Sequence, residues 1–140
     1  MKNRIASIKA VLIVLLIGLT TMSCGDDPLS VTEEAFLKLK GTWGLGSIEV
    51  DGVDQSANYP GFTLNFTETG YSATSGGTLF TSGTWQWEGT TATTILLIDG
   101  KQLNLVSLTD TSLVFTFTYN SGGTRAGING NYRVSLVKQQ

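Results

Sequence analysis

The hydrophobic rhythm of the chain changes twice along its length. Residues 10–19 (AVLIVLLIGL) form one unbroken apolar run behind the basic residues Lys2, Arg4 and Lys9. That is the length and flank of a signal h-region, and it falls short of the ~20 apolar residues a spanning helix needs. Ser30 with Glu33 three positions later then opens a capping-box pattern, and Glu33 and Glu34 suit the positive end of a helix dipole. Ala35, Phe36, Leu37 and Leu39 give one or two helical turns an apolar side, and Gly41 ends them.

From Gly41 onward the period is two, punctuated by Gly, Asn, Asp and Ser. The alternation predicts strands over 42–50, 62–67, 71–74, 83–88, 93–98, 101–108, 111–119 and 131–138. Inward positions are Phe62, Leu64 and Phe66, then Trp85 and Trp87, then Leu113, Phe115, Phe117 and Tyr119, and finally Tyr132, Val134 and Leu136. Asp51-Gly52, Thr69-Gly70 and Asp99-Gly100 mark turns, the last a strong hairpin signal. Ser75-Gly76-Gly77 and Ser121-Gly122-Gly123 read as flexible loops, since neither has the strand–helix context of a phosphate loop.

Eight strands without a helical crossover imply an antiparallel meander, which must close or stack to protect its edges. Sequential hairpins and the lack of a long Greek-key connection favour closure. The predicted fold is all-β: an eight-stranded antiparallel up-and-down barrel with a short N-terminal helical turn over one mouth.

Composition removes several classes of chemistry. There is no histidine and Cys24 is the only cysteine, which excludes Cys/His zinc sites, His-dependent nucleophilic triads and an intrachain disulfide. Without its first 23 residues the chain loses three of nine basic residues and keeps all 11 acidic ones, moving the net charge from −2 to about −5. An acidic domain argues against a nucleic-acid partner.

Cys24 follows Thr21, Met22 and Ser23 and precedes Gly25, Asp26 and Asp27. This order resembles a bacterial lipoprotein signal with its lipobox, although Thr21 stands where such signals usually carry Leu. The resemblance implies cleavage before Cys24 and lipidation of that residue, giving a signal peptide over 1–23, a lipidated linker over 24–30 and a domain over 31–140. The membrane is then a partner through the lipid on Cys24. Asp26-Asp27 resembles the acidic export tags of Bacteroidota-type surface lipoproteins. The implied location is the outer membrane or cell surface, with the periplasmic face as the alternative.

Gly41, Thr42 and Trp43, at the start of the first strand after a helical turn, resemble the GxW motif of lipocalins and the wider calycin group. The resemblance implies that Trp43 packs across one barrel end, often against an arginine, here Arg133 or Arg125. It extends to the lipocalin-like domains of Bacteroidota-type lipoproteins. The chain lacks a TDY motif and the long helix after the barrel.

The leading expectation is a binding protein for a small apolar or amphipathic ligand, lined by Trp85, Trp87, Phe62, Phe66, Phe115, Phe117 and Tyr119 and entering away from Trp43. The alternative is a surface interaction module that contacts an envelope protein or a glycan through its outer faces, with the barrel core filled. No enzyme activity, cofactor or metal is expected. Glu49, Asp51 and Asp54 lack the full donor set of a calcium loop, and nothing in their spacing pairs Glu68 with Glu88 for glycoside hydrolysis.

Overall fold

The computed structural model describes residues 27–120 and 128–140. The signal segment, Cys24, Asp26, Arg125 and Ser121-Gly122-Gly123 lie outside the described residues. The capping box forms as the sequence predicts. Ser30 Oγ accepts the Glu33 amide and the Ser30 amide donates to Glu33 Oε2 at 2.7 Å, opening helix α1 (Val31–Leu39).

Among the described residues nine strands follow: β1 (Gly41–Val50), β2 (Val53–Asp54), β3 (Thr63–Phe66), β4 (Tyr71–Thr74), β5 (Trp85–Trp87), β6 (Thr94–Leu97), β7 (Gln102–Leu108), β8 (Ser112–Tyr119) and β9 (Gly130–Lys138). All pairings are antiparallel, in the order β4-β3-β1-β9-β8-β7-β6-β5. These eight are the predicted strands. The two-residue β2 folds back on β1 outside this path, opposite Glu49 and Val50. The result is a nearly closed eight-stranded up-and-down barrel.

The first and last strands seal along most of their length, from Trp43 opposite Lys138 to Val50 opposite Tyr132. The open seam therefore lies in mid-chain, between β4 and β5. One bridge spans it: the Tyr71 amide donates to Gly83 O at 2.8 Å and the Gly83 amide returns to Tyr71 O at 3.0 Å. Gly70 lets the two backbones meet, because a Cβ there would lie 2.8 Å from Gly83 O.

The core is wholly apolar among the described residues. Its inward faces are those read from the alternation: Phe62, Leu64 and Phe66, Leu113, Phe115 and Phe117, and Tyr132, Val134 and Leu136 are all buried. Burying each large apolar side chain contributes about 1.5–3 kcal/mol relative to leaving it in water. A β-bulge between Leu45 and Ser47 shifts the inward parity of β1, so that Trp43 is followed inward by Ile48 and Val50.

The loop marked by Ser75-Gly76-Gly77 departs from its flexible reading. The residues after it fold inward, burying Leu79 and Phe80. The Phe80 ring meets Phe62 at 5.6 Å, Phe115 at 6.1 Å and Phe117 at 5.3 Å. Lys101 clasps this segment: its Nζ donates to Leu79 O, pairs with Asp99 Oδ2 at 2.9 Å and lies 5.1 Å from the Phe80 ring centroid.

Candidate functional site

Trp43 is fully buried at the end of the barrel beneath α1, and its Nε1 donates to Leu39 O at 2.8 Å. The last carbonyls of a helix have no partner within it, so this bond fastens α1 to the barrel. Lys138 from β9 supplies the cation: its Nζ lies 4.8 Å from the Trp43 ring centroid and donates to Lys38 O at 2.6 Å. This placement also opposes a positive charge to the negative end of the helix dipole. Gly41 has a φ of +116° and lies under the Lys138 stem, where a Cβ would be 3.2 Å from Cε. Thr42 Oγ1 reaches Asn65 Oδ1 at 3.4 Å on neighbouring β3.

The expectation of an arginine at Trp43 is therefore corrected for Arg133. That residue is exposed, opposite Glu49 on β1 and Thr116 on β8. Its odd position among the inward residues 132, 134 and 136 directs it outward. Lys138 shares the parity of the inward residues 132, 134 and 136 and pairs directly with Trp43, so its stem reaches the indole from the strand end.

Of the side chains expected to line a ligand site, Phe62, Phe66, Phe115 and Phe117 are buried in the core. Phe117 stacks on Tyr132 at 4.9 Å, and Phe66 meets Trp85 edge-on at 5.8 Å. Tyr119 is half-buried at the far end of the barrel, with its ring 6.2 Å from Tyr132. Tyr59 completes that tyrosine group. Burial first, then a hydrogen bond with Tyr132, pushes its hydroxyl from 10.0 up to about 12.

Trp85 and Trp87 pack against the edge of this core. Both are half-buried on β5 beside the seam, with their rings edge to face at 5.3 Å. The Trp85 Nε1 donates to Thr67 O at 2.9 Å across the seam, which fixes the indole. The Phe36 ring of α1 approaches Trp85 at 5.9 Å. A groove of roughly 340 Å³ runs between these elements, walled by Thr32, Glu33 and Phe36 of α1 on one side and Trp85, Gln86 and Trp87 on the other, with Glu68 of the β3–β4 turn at its rim.

The ladder phase adds polar backbone to this wall. The Ile98 amide donates to Thr84 O and the Glu88 amide to Thr94 O, so the polar backbone groups of Thr84, Gln86 and Glu88 face β6. Those of Trp85 and Trp87 then face the seam. The groove thus joins aromatic surface to polar edges and acid. It lies at the Trp43 end of the barrel, because Thr67 follows Phe66, which pairs with Gly41.

Three further acids hold hydrogen bonds outside the groove. Asp51 Oδ1 accepts from the Asn131 amide at 3.1 Å and from its side chain at 3.2 Å. Asp54 accepts from the Ser56 hydroxyl and amide, which hold its carboxyl below the usual range. Glu88 accepts from Gln102 Nε2 at 3.0 Å. Among the described residues no three acids come together as metal ligands.

Of the groove residues only Trp85 and Trp87 belong to the expected ligand lining; Phe36 is the aromatic one that sequence reasoning missed. As an apolar residue in a helical turn it reads as packing, and only its closeness to Trp85 gives it a second role. Comparison with known proteins returns no match among family models, curated proteins or solved structures.

Proposed function

We propose that this protein is a lipid-anchored envelope binding protein that holds a small amphipathic ligand in the groove between α1 and β5. The observation that carries this reading is the groove itself, with Phe36, Trp85 and Trp87 as its aromatic surface and Glu33 and Glu68 at its edge. Ligand sites commonly combine apolar walls with a few placed polar groups. The resemblance to lipocalins supports binding as the role, and the lipobox around Cys24 supports attachment to the outer membrane or cell surface. This reading sets the site at the seam, and the mutual packing of the inward Phe62, Phe80, Phe115 and Phe117 supports that choice.

Titration with n-decyl maltoside below its micelle-forming concentration tests the reading. Saturable change in tryptophan fluorescence, weakened at least tenfold in Trp87→Ala, supports it; an unsaturable response refutes it. For the anchor, Cys24→Ser should move the protein from the membrane fraction to the soluble fraction, and an unchanged distribution contradicts lipidation.

A second reading, a surface module contacting an envelope protein or glycan, draws on Ile98. Its side chain is 69% exposed on the outer face, beside a hollow of roughly 250 Å³ that Thr84 and Gln86 also line. Cross-linking in intact cells that captures a specific partner with the wild type and loses it with Ile98→Ser favours this reading.

A further inference from the structure

We infer that the ligand of the seam groove is an organic ammonium carried on an alkyl chain, a choice that rests on the groove reading above. Phe36, Trp85 and Trp87 present three aromatic rings to one groove, with the Trp85 indole held by its bond to Thr67 O. Aromatic faces attract cations through the ring quadrupole, and Trp does so most strongly.

Both charged residues lining the groove are acidic. Glu33 closes the wall from α1 and Glu68 from the β3–β4 turn. The Ser30 amide and hydroxyl hold the Glu33 carboxyl below the usual range, so it stays ionised at neutral pH. Among the described residues no basic one lines the groove, and Lys101 and Lys138 are committed elsewhere, Lys101 to Leu79 O and Asp99 and Lys138 to Lys38 O and the Trp43 ring. An anionic amphiphile would meet two carboxylates here without a counter-charge. A neutral one would gain the apolar contact alone. An alkylammonium gains the apolar contact, the ring faces and the carboxylates together.

The test compares n-decyltrimethylammonium, n-decyl maltoside and n-decyl sulfate, each below its micelle-forming concentration, with the intact protein and tryptophan fluorescence as readout. The expected order is ammonium tightest, by about tenfold over the maltoside, with the sulfate weakest. The double variant Glu33→Gln/Glu68→Gln should lose most of the ammonium's advantage over the maltoside and keep only the part the rings supply, and an undiminished advantage overturns the role of the carboxylates. Gln at position 33 preserves the capping box, so α1 keeps its start. Equal affinities for ammonium and maltoside in the wild type overturn the ammonium inference and leave the groove reading standing. Saturable binding by none of the three overturns both.

Discussion

Replacing Trp43 by Phe tests how the helix is held to the barrel. The indole N–H is the donor to Leu39 O, and Leu39 is itself fully buried, so Trp43→Phe strands a carbonyl away from water. Leaving a buried acceptor without its donor costs about 1–3 kcal/mol. The void left by the smaller ring adds about 1 kcal/mol. The total, about 2–4 kcal/mol, is a large fraction of the stability of a small domain. Lys138→Met keeps most of the aliphatic stem and loses the bond to Lys38 O and the charge over the ring, for about 1 kcal/mol. Both residues hold the same helix end and touch each other, so the double variant should depart from additivity by about 0.5–1 kcal/mol. Urea unfolding followed by far-UV circular dichroism measures all three. A Trp43→Phe loss below about 0.5 kcal/mol, or strict additivity with Lys138→Met, would refute this account of how α1 is fastened.

Two further predictions concern the opposite end of the barrel. Lys101→Met removes the cation that clasps Leu79 O and pairs with Asp99, and should cost about 1.5–3 kcal/mol and speed proteolysis within residues 75–82; unchanged cleavage there contradicts the clasp. Tyr59 titrates near 10.0 when unfolded and at about 12 when folded, so its contribution to stability is complete below pH 10 and is lost as pH rises from 10 to 12. Urea midpoints across that range should fall more steeply in wild type than in Tyr59→Phe, and parallel curves would count against the buried hydroxyl.

Much of the barrel is legible because period-two alternation and turn residues both depend on local chemistry. Leu113, Phe115 and Phe117 against Val114 and Thr116 predict one buried face, and that face is buried. What stays hidden depends on long-range closure. The bulge at Gly46 is set by how β1 meets β9, where a Cβ would lie 3.0 Å from Ser135 O, and no local motif announces it. Leu79 and Phe80 are an apolar pair too short to display a period, so the loop around them reads as flexible until its packing on Phe117 is seen. The pairing of Trp85 with Trp87 is visible in the sequence. Their position at the seam is not, because the seam exists only once β9 has paired with β1 and moved the opening to mid-chain.

The same closure separates core from site. Phe62, Phe80, Phe115 and Phe117 pack on one another inside the barrel, so the proposed site falls to the aromatic groups beside α1, where apolar surface meets charge. Helix docking and binding are then linked. Phe36 forms one wall of the groove, so if the proposed site is right a variant that loosens α1 from Trp43 should weaken binding even though Trp43 does not line the groove.

The most direct measurement is the set of intermolecular nuclear Overhauser effects from bound n-decyltrimethylammonium to the assigned aromatic protons of the protein. Contacts from its alkyl chain and methyl groups to Phe36, Trp85 and Trp87 are the predicted result. Contacts to Phe115 and Phe117 would place the ligand inside the barrel and contradict a site at the seam.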